Sequence, residues 1–291
     1  MEKNDLRQIL GIVLVLLIAA GLAWAGSQGS VEAFGFPLFT LGVALAFIIQ
    51  WLAFIPAWIF KTEKFYDLTG TITYLAVTIM ALLLSGNVGP RAWLVAGLVA
   101  VWTVRLGSFL FMRVLSSGKD ARFDEIKQSF TRFLMTWTLQ GLWVSFTLAA
   151  ALVIFTVRDQ APLDAFALFG ALVWVLGFGI EVAADLQKDR FRKNAANKGK
   201  FIRSGLWAWS RHPNYFGEIL LWVGVAIIAL PVMRGWGWVG LISPMFVYLL
   251  ITRVSGVPLL EKRADEKWGG QPEYEEYKAK TSILVPLPPG K

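Results

Sequence analysis

Long runs of apolar residues, separated by short polar segments, dominate the chain. Eight of these runs are long enough to cross about 30 Å of hydrocarbon as a helix. They lie at residues 9–25, 36–60, 70–86, 91–113, 133–156, 164–187, 214–231 and 237–252. The pattern predicts an all-α, polytopic membrane helix bundle with about eight transmembrane helices, organised as a single membrane domain over residues 1–291.

The composition supports a membrane protein and narrows the available chemistry. Hydrophobic residues make up 56% of the 291 positions and charged residues only 16%, whereas soluble domains carry about a quarter charged residues. These values exclude a disordered chain, a coiled coil and an ordinary water-soluble enzyme. With 0 Cys and 1 His, the chain offers no thiolate nucleophile and no Cys-based or histidine-cluster metal site, so we expect no metal.

The basic residues predict the orientation. When the N-terminus is placed in the cytosol, 24 of the 28 Lys and Arg residues fall on the cytosolic side, as the positive-inside rule requires. We therefore expect both termini in the cytosol, with a bacterial inner membrane as the location. This bias explains the net charge of +8 without nucleic acid.

Lys3 and Arg7 precede an apolar run that ends in Ala23-Trp24-Ala25, and this pattern resembles a signal peptide. We nevertheless expect the segment to remain as an uncut helix.

Ionisable side chains within membrane spans are costly and usually functional. Five such residues fall in the predicted cytosolic halves of four spans: Asp67, Arg105, Glu181, Asp185 and Glu218. Glu181 and Asp185 are four residues apart and so share a helix face. This distribution predicts a polar cavity open to the cytosol. The alternative is that these groups form structural ion pairs with one another.

The segment before the seventh span combines a helix start with positive charge. Pro213 suits the first turn of a helix, where its missing N–H costs nothing. Free backbone amides at that end, together with nearby arginines, favour a phosphate site, and contact with lipid headgroups explains the same charge equally well. His212 alone is more often a capping residue than a catalyst. The arginines concerned are Arg190, Arg192, Arg203 and Arg211.

Two further patterns have structural interpretations. Tyr274 and Tyr277 are three residues apart, so a short tail helix would present both on one side. The simplest interpretation of this segment is an amphipathic surface helix. Gly177 and Gly179 resemble half of a dinucleotide fingerprint, but no strand precedes them. Glycines in membrane helices more often permit close helix packing, and we predict that role here.

The run Ser210-Arg211-His212-Pro213-Asn214-Tyr215-Phe216-Gly217-Glu218, followed by Trp222 and by Tyr277 and Pro286 in the tail, resembles the C-terminal signature of the steroid 5α-reductase family. The similarity is greatest to its bacterial, DUF1295-like branch and extends from about Asp67 to Pro286. Membrane isoprenylcysteine carboxyl methyltransferases share the Arg-His-Pro core and a similar tail.

The resemblance implies a reductase-like core of seven helices over residues 67–286, preceded by N-terminal helices in 1–60 that include one added span. It also implies that NADPH binds from the cytosol and that a carbon–carbon double bond conjugated to a carbonyl is reduced. The resemblance assigns cofactor contacts to several residues, to which we add basic and aromatic neighbours of the signature. The full set is Arg105, Arg122, Glu181, Asp185, Arg192, Arg203, Arg211, His212, Asn214, Tyr215, Glu218, Tyr274 and Tyr277.

The substrate-side positions depart from the family pattern. A Gln-Glu pair that polarises the substrate carbonyl in steroid reductases corresponds here to Tyr66-Asp67, and the family tyrosine corresponds to Trp102. Glu181 stands where the family usually has Asn. We therefore expect the substrate to be a lipophilic enone, which need not be a steroid. We expect Asp67 and either Tyr74 or Tyr66 to be the catalytic residues. Tyr74 lies seven residues beyond Asp67, on the same helix face.

Two other classes of function compete with a reductase. An S-adenosylmethionine-dependent methyltransferase acting on a lipid or lipidated substrate would use the same Arg211-His212-Pro213 core and the same tail. A transporter or scaffold would place polar groups in both halves of the bilayer, and the one-sided distribution argues against it.

Overall fold

A computed structural model describes residues 3–86, 88–117 and 123–288, and within these ranges it is almost entirely helical. Arg122, one of the predicted cofactor residues, lies outside the described residues. The helices are α1 (Lys3–Gly26), α2 (Leu38–Ile59), α3 (Tyr66–Leu84), α4 (Pro90–Ser117), α5 (Phe130–Thr147), α6 (Ala149–Thr156), α7 (Ala165–Lys193), α8 (Pro213–Ala229), α9 (Ile242–Leu249), α10 (Val257–Trp268) and α11 (Pro272–Lys280).

Short elements connect these helices. The strands β1 (Glu32–Ala33) and β2 (Phe36–Pro37) form an antiparallel hairpin between α1 and α2. Both residues of its turn, Phe34 and Gly35, have positive φ angles of 55° and 78°. A π-helical turn, Leu250–Val254, follows α9. Short 3-10 helices cover Ile126–Gln128, Ala195–Asn197, Gly205–Ala208, Leu230–Val232 and Gly235–Leu241.

The described residues contain seven helices that are long and apolar enough to cross a membrane, and eight spans if a bent pair counts as one. This confirms the predicted all-α membrane bundle. The predicted span 133–156 is not one straight helix, because α5 and α6 meet at a bend of 57°. At the bend, the Ser243 hydroxyl donates a 2.6 Å hydrogen bond to the Thr147 carbonyl. Every residue of α6 is buried.

The helices form two compact units. The first comprises the chain up to Ala167 together with Ile228–Ser243, and the second comprises Leu168–Ile227 and the chain from Pro244 onward. In the first unit, the fully buried Arg91 at the start of α4 donates hydrogen bonds to the carbonyls of Ile228 and Pro162 and pairs with Asp164. One guanidinium therefore ties three segments of this unit together.

Candidate functional site

In the second unit, α7 and α8 pack backbone against backbone at glycine positions. A methyl group placed on Gly217 would lie 2.5 Å from the Gly177 carbonyl oxygen and 2.6 Å from the backbone nitrogen of Glu181. Gly224 has an equally close neighbour in the Gly170 carbonyl. Glycine is required here because any side chain would separate the helices. This confirms the packing role predicted for Gly177, whereas Gly179 faces open space.

This close packing brings the polar side chains of the two helices together. The Asn214 amide nitrogen donates a 3.1 Å hydrogen bond to the Asp185 carboxylate. Asp185 and Glu181 are both buried, and Glu218 lies one turn beyond Asn214 and is half-buried. An amide and three carboxyl groups, predicted from two distant parts of the sequence, therefore lie at one helix contact.

The loop before α8 is fixed to the end of α7 through Trp207. This tryptophan is buried, and its indole N–H donates a 3.0 Å hydrogen bond to the Ala184 carbonyl. The backbone N–H of Leu206 donates to the Gln187 side chain at 2.9 Å. The Tyr277 hydroxyl donates to the Trp207 carbonyl at 2.7 Å. Tyr277 therefore acts through the loop backbone, and burial raises the pKa of its phenol well above the usual value.

The extended tail after α11 pairs with the same loop. The Arg211 N–H donates to the Ser282 carbonyl at 2.8 Å, and the Leu287 N–H donates to the Trp209 carbonyl at 3.0 Å. Between these bonds, the buried Ser210 hydroxyl donates to the Leu284 carbonyl at 2.8 Å. The signature residues before Pro213 and the tail thus form one hydrogen-bonded assembly, and α8 begins at Pro213 as predicted.

Arg211 and His212 both pair with Glu261 of α10. An Arg211 guanidinium nitrogen lies 2.6 Å from one Glu261 carboxylate oxygen, and the His212 Nε2 atom lies 2.7 Å from the other. Burial lowers the pKa of His212, although the hydrogen bond to Glu261 opposes this effect. Within the described part of the chain, His212 Nδ1 is buried without a hydrogen-bond partner. It is therefore available to a bound group. The His212 ring also stacks on Tyr215 at 5.7 Å.

The other predicted arginines differ in their surroundings. Arg203 pairs with Glu273 at 3.3 Å, with both side chains largely exposed. Arg192 lies exposed in the last turn of α7, where it has no ion-pair partner among the described residues. Of the four arginines predicted near a phosphate site, Arg203 and Arg211 pair with carboxylates, whereas neither Arg190 nor Arg192 has an ion-pair partner among the described residues.

Phe201 joins the two tail tyrosines. Its ring lies 5.3 Å from the Tyr274 ring and 5.4 Å from the Tyr277 ring, which confirms that α11 presents both on one side. The Tyr274 hydroxyl donates a 3.0 Å hydrogen bond to Asp265, and burial, followed by this bond, raises its pKa. Both tyrosines thus have structural contacts within the second unit.

The substrate-side candidates lie on α3 and α4 of the first unit. Asp67 is in the first turn of α3, and its carbonyl accepts a hydrogen bond from the Thr71 hydroxyl. Tyr66 is packed between Phe123 and Trp137, and its hydroxyl donates to the Thr136 carbonyl at 3.1 Å. Its proton is therefore held by the protein backbone.

Tyr74 contacts Trp102, which the resemblance places at the position of the family tyrosine. Its ring lies edge-on to the Trp102 ring of α4, with 5.3 Å between centroids and 90° between planes. Both side chains are buried. Arg105, one turn further along α4, is half-buried with its guanidinium carbon 5.5 Å from the Phe109 ring centre.

Sequence reasoning missed Glu261, Trp207 and Gln187 as parts of this arrangement. A charged Arg211 within a buried signature requires a counter-ion, which indicates that some acid must pair with it. Nothing in the spacing selects Glu261, which lies 49 residues from His212. Among the described residues, no group of three or more His, Asp or Glu side chains is arranged to hold a metal ion.

Comparison with known proteins settles the family. A family model described as "Protein of unknown function (DUF1295)" matches residues 53–281. The chain belongs to the DUF1295 family. "Steroid 5-alpha-reductase DET2" from Gossypium hirsutum is 30% identical over 120 residues, which cover 41% of this chain and 42% of that protein. "3-oxo-5-alpha-steroid 4-dehydrogenase 1" from Bos taurus is 27% identical over 121 residues, 41% of each protein.

These relatives confirm that the DUF1295 chain is steroid 5α-reductase-like, as the signature around Asn214 predicted. The matched segments span about two fifths of the length of these relatives. Both proteins carry reductase or dehydrogenase names, and neither supports the methyltransferase alternative. No solved structure matches the chain.

Proposed function

We propose that this membrane protein is an NADPH-dependent reductase of a carbon–carbon double bond conjugated to a carbonyl in a lipophilic substrate. The observation that carries the proposal is the 3.1 Å hydrogen bond between Asp185 and Asn214. It lies where the family resemblance assigns cofactor contacts, at a helix contact that glycines such as Gly177 and Gly217 permit. The reductase names of the relatives support the same class of reaction.

The donors and acceptors of the second unit fit a dinucleotide. Asp185, Asn214 and Glu218 offer acceptors and an amide donor of the kind that ribose hydroxyls and a carboxamide need. Arg192 offers a guanidinium for phosphate, which binds Arg in a bidentate manner. The buried, unoccupied Nδ1 of His212 provides a further polar contact. We assign these groups to the cofactor, with Arg211 positioned by Glu261 beside them.

When bound, NADPH would supply a hydride to the β-carbon of the conjugated system. Negative charge would then develop on the substrate carbonyl oxygen, and we assign its stabilisation to Asp67 and Tyr74. A carboxyl group donates a hydrogen bond only when it is protonated. A preorganised donor to such an oxygen contributes about 10²- to 10³-fold in rate. Uptake of a proton from solvent at the α-carbon would complete the reduction.

Tyr74 is the better candidate of the two tyrosines. The Tyr66 hydroxyl donates to the Thr136 carbonyl, so using its proton in catalysis would break a structural hydrogen bond. Tyr74 contacts Trp102, the residue that stands at the position of the family tyrosine. The Tyr74 hydroxyl on α3 would then take the role that the tyrosine on α4 has in the family. It would donate a hydrogen bond to the substrate carbonyl from the neighbouring helix.

Ligand-dependent melting of the detergent-purified protein tests the cofactor. We expect NADPH to raise the melting temperature, because a ligand that binds the folded state stabilises it, and S-adenosylmethionine to have no effect. Asp185→Asn should abolish the shift with NADPH. Asp189→Asn, which alters a partly exposed carboxylate one turn further along α7 that pairs with Lys193, should retain it.

Turnover provides the second readout. We expect NADPH oxidation to depend on an added enone lipid, and the product to carry two more hydrogens than the substrate. Stabilisation by S-adenosylmethionine alone, or equal NADPH shifts in both aspartate variants, would contradict the proposal.

A further inference from the structure

The first turns of α1, which precede the segment matched by the family model, line a polar pocket together with the start of α5. The matched segment begins at residue 53, whereas this pocket is formed by the first turns of α1 and the start of α5. Its volume is about 700 Å³. The lining residues are Asn4, Asp5, Arg7, Gln8, Gly11, Ser129, Thr131, Arg132 and Met135.

The pocket contains two guanidinium groups and one carboxylate. Arg7 is exposed and has no ion-pair partner among the described residues. Arg132 has only a 3.6 Å contact with Glu125, whose side chain is 86% exposed, and exposed pairs of this kind are weak. The Asp5 carboxylate accepts a 2.8 Å hydrogen bond from the Thr131 hydroxyl, which joins the two helices. The lining therefore keeps an excess of positive charge.

The same turns of α1 also present apolar side chains outward. Leu6, Leu10 and Leu14 are 46%, 60% and 58% exposed, and they follow one another at four-residue intervals on a helix that is long and apolar enough to cross a membrane. Such a stripe faces lipid tails. Arg7 adjoins this stripe, so the pocket opens where headgroups meet hydrocarbon, on the side predicted to be cytosolic.

We propose that this pocket binds the headgroup of an anionic phospholipid. Guanidinium groups match phosphate oxygens in a bidentate manner, and Asn4, Gln8 and Ser129 offer hydrogen bonds to a polar headgroup. Basic pockets between membrane helices on the cytosolic side suit anionic lipids. The site tethers α1 to α5 through the lipid. It is independent of the proposed reductase activity, since it uses none of the residues assigned to that reaction.

Native mass spectrometry of the protein released from bilayers tests the site. The probes are vesicles of dioleoylphosphatidylcholine with or without dioleoylphosphatidylglycerol. We expect the wild type to retain phosphatidylglycerol in preference to phosphatidylcholine. Arg7→Gln combined with Arg132→Gln should weaken retention by about fivefold for each guanidinium removed. Arg158→Gln, which alters an exposed arginine paired with Glu32 outside the pocket, is the matched control and should retain the lipid.

A second variant changes the pocket charge in the other direction. Asp5→Asn keeps an oxygen acceptor for Thr131 but removes the negative charge, so phosphatidylglycerol retention should rise several-fold. This variant tests the proposal even if the double arginine variant does not fold. Unchanged retention in the double variant, weaker retention in Asp5→Asn, or displacement by soluble glycerol phosphate would overturn the assignment to a lipid headgroup.

Discussion

The candidate residues of the two units are held by different kinds of interaction. On α3 and α4 of the first unit, Tyr74 and Trp102 are positioned by ring packing. In the second unit, the loop 205–212 is held by hydrogen bonds from Trp207, Tyr277 and Ser210 to distant backbone atoms. Changes on α3 should therefore affect turnover, whereas changes around the loop should affect stability and cofactor binding.

The largest effect is expected for Tyr74→Phe. This change removes one hydroxyl and leaves the edge-on contact with Trp102 in place. If the hydroxyl stabilises charge on the substrate oxygen, turnover falls by about 10²-fold while the melting temperature hardly changes. Steady-state NADPH oxidation and thermal unfolding, measured on the same preparation, check both expectations.

Tyr66→Phe is the matched comparison on the same helix. It removes the hydrogen bond to the Thr136 carbonyl, so it should lower the melting temperature more than it lowers turnover. A larger loss of turnover in Tyr66→Phe than in Tyr74→Phe would reverse the assignment of the two tyrosines.

The next largest effect is expected at the helix contact of the second unit. In Gly217→Ala, the added methyl group meets the Gly177 carbonyl oxygen and the Glu181 backbone at about 2.5 Å. Backbone atoms cannot rotate away, so the helices must separate at a cost of about 1–3 kcal/mol. Both the melting temperature and the NADPH-dependent shift should fall, because Asp185 and Asn214 move apart.

Gly179→Ala is the control for this contact. It adds the same methyl group to α7 where nothing lies within 4 Å, so both quantities should stay at their wild-type values. Equal losses in the two variants would show that helix propensity or the membrane environment, rather than the glycine contact, determines the result.

Several of these features could be predicted from the sequence because they depend on neighbours along the chain. The start of α8 at Pro213, the shared face of Tyr274 and Tyr277, and close packing at Gly177 follow from local rules, and the structure agrees. These features fix where the helices begin and which faces they present.

Features that depend on distant partners could not be predicted. The bend between α5 and α6 coincides with a hydrogen bond to Ser243, which is 96 residues away, while hydropathy shows one uninterrupted apolar run. Glu261 pairs with Arg211 and His212 across about 50 residues, and no spacing rule selects it over the other acids of α10. Long-range pairs of this kind are set by the helix packing, which apolar patterns leave undetermined.

A smaller effect is expected for Tyr277→Phe. The change removes the donor to the Trp207 carbonyl, which should cost about 1 kcal/mol and weaken NADPH binding through the displaced loop. Burial raises the pKa of this phenol, so it stays protonated from neutral to mildly alkaline pH. The difference in stability between wild type and Tyr277→Phe should therefore be independent of pH over this range. Tyr248→Phe, at an exposed tyrosine of α9, should have no effect on either the melting temperature or cofactor binding.

The smallest effect concerns the pH dependence of stability. Burial lowers the pKa of His212 in the folded protein, so between that lowered value and about 6.5 the unfolded chain binds more protons than the folded chain. Stability therefore rises with pH across this window and falls on acidification. His212→Gln keeps a polar side chain beside Glu261 but cannot titrate, so its melting temperature should fall less between pH 7 and the lower end of the window. Identical acid profiles for the two proteins would show that the pairing with Glu261 fully offsets the effect of burial on the pKa of His212, because a group with the same pKa in both states adds no pH dependence to stability.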